Sequence, residues 1–404
     1  MLVWWAGLTS MLGNYMLFVA LPVYIFDKTG STLSTAFSVM GGGFATIIIG
    51  QVAGVLVDRW HYKRTLVVAN FILVFITLAF LLTTSLPWWV VLPVAFLQSA
   101  AGQFLGPAET ALLPTLIDDE HLAAANSLNA LNNNLARLAG PALGGLLVST
   151  VGFAGVVIVD AATYLVAVVL LLLMNAPRVK REVAPILNPY KRLFLEWREG
   201  LQVVKQNKSL TLSFIVVALT GLGEGTISTL MAPYVNVMLG GGGLELGYIM
   251  SAQAVGGIVA GLLLANSVGR IQPLRLLGWS AIFAGLLDGL LLTYPLFYAE
   301  LWPGLIVIAL AGFPFAAFAT AQMTILQRES PSQARGRVFS SYFALFAFTQ
   351  LVGILGSGLL GDTAGVLVIN TQSVVYVLAG VVVLIGTRHL LSRHEKSNSH
   401  LNRS

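Results

Sequence analysis

Five charged side chains fall inside long apolar runs of this 404-residue chain: Glu109, Arg137, Asp160, Glu224 and Asp288. An ionised group in hydrocarbon is costly, so each marks a solute or ion pathway, or a buried polar partner. Glu224 sits at the centre of Gly221-Leu222-Gly223-Glu224-Gly225, where weak helix propensity predicts local unwinding and water access to the carboxylate. A carboxyl that gains and loses a proton as its surroundings change is what proton coupling requires. Glu224 is the leading proton-coupling candidate, with Glu109 and Asp160 in reserve. Asp160 and Asp288 lie nearer the ends of their runs, and a structural role is the simpler reading of both. Arg137 calls for an acidic partner, for which Glu109 is the candidate.

A second polar pattern runs through Asn126, Asn129, Asn133 and Arg137, at spacings of 3, 4 and 4 residues that place them on one helix face. That face is too polar for lipid and is read as a cavity wall. Asn14, Tyr15, Gln98, Gln253 and Gln322 are further cavity candidates suited to an amphiphilic ligand. Enzyme chemistry is poorly served. There is no cysteine, and the five histidines (His61, His121, His389, His394, His400) have no metal-ligand spacing. No Gly-x-x-x-x-Gly-Lys-Ser/Thr loop is present, so an ATP-driven pump is excluded for this chain alone, and no cofactor is implied. The expected ligands are a small-molecule substrate, protons and the lipid bilayer.

The composition says what must position these residues. The chain is 57% hydrophobic and 10% charged, where soluble domains carry about 25% charge, and its mean hydropathy is +0.84. Apolar runs of spanning length lie near 3–26, 33–57, 65–86, 88–107, 123–149, 153–175, 209–236, 244–267, 273–294, 302–326, 337–360 and 366–388. The expected fold is all-α and integral to the membrane, with twelve transmembrane helices in two pseudo-symmetric six-helix bundles. The first bundle covers 1–177 and the second 209–391. Between them, 178–208 reads as a cytoplasmic linker with an amphipathic helix on the leaflet, and 392–404 as a cytoplasmic tail. With a cytoplasmic N-terminus, 20 of the 22 Lys and Arg residues fall on the cytoplasmic side; Lys28 and Arg137 do not. That bias is topological. The net charge of +5 is therefore no nucleic-acid footprint, and both termini are expected in the cytoplasm of a plasma or inner-membrane protein. Nothing basic precedes the first run, so it reads as a retained helix rather than a signal peptide.

The halves repeat. Arg59 and Arg64 map onto Arg270 and Arg275 at an offset of 211, and Gly140 and Gly144 onto Gly353 and Ser357 at 213. Such a parallel repeat places a transporter's substrate site near the midplane. Small residues one turn apart at Gly50/Gly54, Gly140/Gly144, Gly257/Gly261 and Gly353/Ser357/Gly361 predict close helix contacts. The stretch Gly54-x-x-x-Asp58-Arg59-x-x-x-Lys63-Arg64 resembles the signature between the second and third helices of the major facilitator superfamily. Gly140-Pro141-Ala142-Leu143-Gly144-Gly145 resembles the fifth-helix signature of its drug:proton antiporters. Phe104-Leu105-Gly106-Pro107-Ala108 together with Leu113-Pro114 and Leu122-Ala123-Ala124-Ala125-Asn126 is similar to the branch of macrolide-efflux proteins and siderophore exporters.

The resemblance implies a major facilitator fold, a gating latch at Gly54, Asp58, Arg59, Lys63 and Arg64, and contacts between the halves through spans 2, 5, 8 and 11. It further implies secondary active efflux of drug-like amphiphiles by alternating access in exchange for protons, for which a monomer suffices. Two positions depart from the exporter pattern: Gln98 stands where many members have arginine, and Asn14 and Tyr15 where many have an acid. The rival readings are a facilitator of a lipid-like, siderophore or metabolite substrate without proton coupling, and a non-transporting membrane sensor.

Overall fold

The computed structural model describes residues 1–175, 189–264 and 271–401. Residues 178–188 of the expected linker, residues 265–270 with Arg270, and residues from 402 onward lie outside the described residues. Regular structure among the described residues is helical throughout. In chain order the main elements are α1 (Leu2–Thr29), α2 (Thr32–Val57), α3 (Tyr62–Ala79), α4 (Val91–Gly102), α5 (Leu105–Leu116) and α6 (Leu122–Leu173). They continue with α7 (Pro189–Gln206), α8 (Lys208–Leu239), α9 (Gly243–Leu264), α10 (Pro273–Thr293), α11 (Leu301–Glu329), α12 (Arg335–Ala364) and α13 (Thr371–Leu401).

Among the described residues eleven helices are long and apolar enough to cross a membrane, α4 and α5 counting together as Trp88–Leu116. One of them is α6, whose 52 residues would extend about 78 Å as a single rod, over twice a hydrocarbon core of about 30 Å. It is not a single rod. Gly152 at φ 72 and ψ 178 breaks it, in a conformation that only glycine adopts without strain. The two limbs run in opposite directions along α1: Asn132 reaches Trp4, Phe153 stacks on Tyr24 at 4.1 Å, and Tyr164 returns to Asn14. Two spans therefore share this element, and the expected break between 149 and 153 lies at Gly152.

The turn between α1 and α2 illustrates how local chemistry sets the ends. Gly30 closes α1 in the left-handed region at φ 64, its N–H donating to the Phe26 carbonyl at 2.7 Å. Ser31 then caps α2 by accepting from the Ser34 N–H at 3.2 Å. The distribution of polarity is that of a membrane protein: Phe75, Leu172 and Leu262 are exposed while Thr35, Thr77, Asp160, Asp288 and Gln372 are buried.

The chain forms two compact units, Met1–Pro189 with Ile227–Ala254 and Ile354–Ile369, and Tyr190–Thr226 with Val255–Gly353 and Asn370–Ser404. The first is centred on α1, which packs along both limbs of α6, with apolar clusters around Leu17, Ile25 and Phe80 and around Leu66, Leu112 and Leu171. The second is centred on α8, α10, α11 and α13, around Leu210, Val217, Leu277, Ile325 and Val383. Helix α7 has the amphipathic character expected of it, and its apolar face has a protein partner: Val204 enters this second cluster, and Glu199 pairs with Arg337 of α12 at 2.5 Å.

Candidate functional site

Along α6 the surroundings change from polar and open to tightly packed. At its start Asn126, Asn133 and Arg137 are exposed, while Asn129 is half-buried and hydrogen-bonds the Glu109 carboxylate. The expected ion pair of Arg137 with Glu109 is not formed among the described residues; Arg137 acts electrostatically on Tyr15 instead. Depth explains the exchange: Asn129 and Arg137 share a face but lie eight residues, about 12 Å, apart along the helix, and it is Asn129 that stands level with Glu109. Further along, Ser251 of α9 donates to the Leu138 carbonyl at 2.7 Å. A Cβ on Gly247 would lie 2.4 Å from the Pro141 carbonyl oxygen, and one on Gly145 2.2 Å from that of Gly243. Gly140 and Gly144 face the other way, against Tyr15 and Met16 of α1. The Gly140–Gly145 signature thus serves two faces: Pro141 and Gly145 meet α9, and Gly140 and Gly144 hold α1.

A second seam closes the same end of the first unit. Gly358 and Gly361 of α12 lie against Ala36 and Thr32. Asp362 accepts hydrogen bonds from the Thr32 N–H at 2.5 Å and the Ser31 hydroxyl at 2.7 Å, so a carboxylate from α12 caps the N-terminus of α2. Sequence reasoning did not single out Asp362. Its neighbour Gly361 was noted, and an acid just past a small-residue row was the available signal.

At the opposite end of α2, Asp58 is the C-cap residue and is exposed, as are Arg59 and Arg64. Lys63 is engaged elsewhere, its ammonium donating to the carbonyls of Leu172 at 3.1 Å and Met174 at 2.5 Å at the end of α6. Gly54, like Gly261, has nothing within 4 Å of a would-be Cβ, so the close contact expected at each is absent here.

Glu224 stands on an unbroken α8, contrary to the expected unwinding. The flanking glycines are there for packing: a Cβ on Gly221 would lie 2.1 Å from the Thr349 hydroxyl, and one on Gly223 3.3 Å from the Gln372 Cα. The Tyr376 hydroxyl donates to Glu224 Oε1 at 2.6 Å. Asp288 and Gln372 are buried together, the Gln372 amide donating to Asp288 Oδ2 at 2.8 Å. In the first unit Tyr164 donates to Asn14 at 2.7 Å, Gln98 to the Thr77 hydroxyl at 3.4 Å, and buried Asp160 lies against Gly13 and Thr163. Gln253 is half-buried. Gln322 is buried and donates to the Ser213 carbonyl at 3.1 Å, so it packs its own cluster and does not line a cavity. The signal for the two tyrosines was present, since Asp160-x-x-x-Tyr164 and Gln372-x-x-x-Tyr376 lie 212 residues apart.

Among the described residues, eleven membrane-length helices, one of them folded back at Gly152, together with glycine-closed helix contacts and buried polar side chains, fit a membrane transporter. The family model of transmembrane secretion effectors, within the major facilitator superfamily, matches residues 1–403. The chain belongs to that family, and is a multi-pass efflux or secretion transporter for small molecules rather than an enzyme. It is 25% identical over 370 residues to macrolide efflux protein A of Streptococcus pyogenes, covering 90% of this chain and 89% of that protein. It is 28% identical over 369 residues to the enterobactin exporter EntS of Salmonella typhi, covering 88% and 84%. The fold matches a bacterial homologue of the iron transporter ferroportin in an inward-facing state, with a TM-score of 0.77 at 16% identity over 95% of this chain and 97% of that one.

Proposed function

We propose that this transporter exports amphiphilic small molecules across the plasma membrane by alternating access, in exchange for protons. The observation that carries the reading is the change along α6. Its Asn126–Arg137 half presents exposed amide and guanidinium groups, which hydrocarbon cannot satisfy, while its Leu138–Gly145 half is closed against α9. In this reading the open half lies toward the Asp58 end and the closed half toward the Gly30 end, as in a state from which an exporter loads. The Lys and Arg bias supports a cytoplasmic location for the Asp58 end and both termini in this reading.

In this reading residues 1–177 and 209–391 are the two bodies that rock in a monomer, 178–208 tethers them, and 392–404 is a cytoplasmic tail. Asp58 and Arg59 latch the cytoplasmic end when the other end opens. Glu224, Glu109 and Asp160 are the coupling candidates, and Asn14, Tyr15, Asn129, Asn133 and Arg137 the candidate solute contacts. Macrolide efflux in one relative and enterobactin export in another support an amphiphilic substrate class.

The test is steady-state retention of a lipophilic cationic dye, a radiolabelled macrolide and a catecholate siderophore in cells stripped of their own exporters. The reading expects expression to lower retention of at least one compound, and a protonophore to restore it. Unchanged retention of all three would refute it. Lowered retention that resists the protonophore would refute the proton exchange and favour the uncoupled facilitator.

A further inference from the structure

The second unit holds a buried carboxyl that the reading above does not use. Asp288 of α10 is 1% exposed, as is Gln372 of α13. One hydrogen bond joins them, from Gln372 Nε2 to Asp288 Oδ2 at 2.8 Å. The other oxygen of each, Asp288 Oδ1 and Gln372 Oε1, is buried with no hydrogen-bond partner among the described residues. Orphaned polar atoms of this kind are rare in folded proteins and need a physical account.

Among the described residues, the groups facing Asp288 supply no cation. From α13 come Gln372, Ser373 and Tyr376, and α10 touches α13 closely enough that a Cβ on Gly285 would lie 2.7 Å from the Ser373 carbonyl oxygen. From α11 come Phe315 and Phe318, whose rings pack on Tyr376 at 5.4 and 5.5 Å. From α8 comes Glu224, the charged group whose field reaches Asp288, and from α12 Tyr342, whose field reaches Tyr376. An anionic Asp288 would therefore be buried beside another carboxylate with a single hydrogen bond, an arrangement that desolvation strongly disfavours.

We propose that Asp288 is a second proton-carrying carboxyl of this transporter, holding its proton on Oδ1 against Gln372 Oε1 and exchanging it through the Tyr376–Glu224 pair. One proton on Oδ1 forms the missing hydrogen bond and gives both orphaned oxygens a partner. It closes the eight-membered acid–amide ring whose other hydrogen bond is the 2.8 Å contact already made. Tyr376 lies one turn beyond Gln372 on the same face of α13 and donates to Glu224, which is half-buried where Asp288 is not. The Glu224 carboxylate takes a proton from water, its O–H bond then breaks as the Asp288 O–H bond forms, and the proton leaves to water on the opposite side when the Asp288 bond breaks in turn, which returns both groups to carboxylates.

The repeat places an acid at the equivalent spot of the first unit by another route. Glu224 and Asp288 correspond at an offset of 211 to Gly13 and Thr77, and Gln372 and Tyr376 at 212 to Asp160 and Tyr164. Where Glu224 projects from α8, Gly13 instead leaves room, and the Asp160 carboxylate comes in from α6.

This assignment rests on the proton-exchange reading for its role but not for its chemistry, so two measurements separate them. Infrared spectra of the purified full chain at neutral pH report a hydrogen-bonded carboxylic acid through its carbonyl band, with no substrate needed. Asp288→Asn is expected to remove one such component, Gln372→Leu to shift it, and Asp160→Asn to leave it in place. An unchanged acid band in Asp288→Asn, or loss of a carboxylate band in its place, overturns the assignment. If Asp288→Asn does not fold, the shift in Gln372→Leu decides alone. Compound-driven proton release in everted vesicles is expected from the native chain and expected to be lost in Asp288→Asn; release retained by that variant overturns the coupling role. Absence of release from the native chain would instead count against the export reading, leaving the infrared result to judge the protonated acid.

Discussion

Replacing Asp362 by alanine removes the carboxylate that joins α12 to the start of α2. Its oxygens receive the Thr32 N–H at 2.5 Å and the Ser31 hydroxyl at 2.7 Å. The Thr32 hydroxyl lies 2.8 Å from both Asp362 Oδ1 and the Gly358 carbonyl, so its single proton serves one at a time, and the Leu33 N–H at 3.4 Å is long. Two full hydrogen bonds and a shared third are therefore lost. Removal of a helix N-cap costs about 0.5–2 kcal/mol, and loss of a charge at a helix N-terminus about 0.3–1 kcal/mol at an exposed site. Asp362 is exposed, so we take a combined loss of about 1–2 kcal/mol, a factor of about 5–30 in an equilibrium constant. Because the chain has no cysteine, Asn133→Cys supplies a sole thiol on the exposed stripe of α6. Labelling of that thiol by a membrane-impermeant maleimide on intact cells reads the population open to the outside. Asp362→Ala is expected to raise the labelling rate 5–30-fold at an unchanged expression level. An unchanged rate would refute the argument that this seam holds the outer end shut.

The other seam makes a complementary prediction. Gly145→Val places a methyl-bearing Cβ 2.2 Å from the Gly243 carbonyl, and overpacking of this kind costs about 1–3 kcal/mol; a lower melting temperature together with faster outside labelling of Asn133→Cys checks it. Lys63→Gln removes the ammonium that caps the Leu172 and Met174 carbonyls, so the melting temperature should fall by a few degrees, as expected for about 1 kcal/mol in a chain of this size. Asp58→Asn should cut efflux severalfold while membrane insertion, followed by fractionation, stays intact; full efflux would count against a latch.

Much of the architecture was legible before the fold was known. Bilayer thickness and helix rise translate apolar runs into spans, and the break expected between 149 and 153 coincides with the left-handed Gly152. What the chain could not disclose is which face of each span meets which neighbour. Gly221 and Gly223 read as a weak point in α8, yet they are glycines because Thr349 and Gln372 come within van der Waals range of their backbones. Likewise the charge of Arg137 suggested Glu109, but Asn129, two turns nearer the start of α6, reaches it instead. Lys63 sits in a superfamily signature and also caps a helix 109 residues away. Such partnerships depend on helix rotation and tilt, to which a 3.6-residue pattern is blind when both faces are apolar.

The central claim is outward transport driven by protons. Everted membrane vesicles containing the protein, energised to hold an acidic interior, test it most directly when macrolides, lipophilic cations and siderophores are added one at a time and the internal pH is followed. Proton release on addition of at least one compound, dependent on the protein and lost in Glu224→Gln, is the result expected. A labelled compound that accumulates in the same vesicles with no proton release at all would contradict the account.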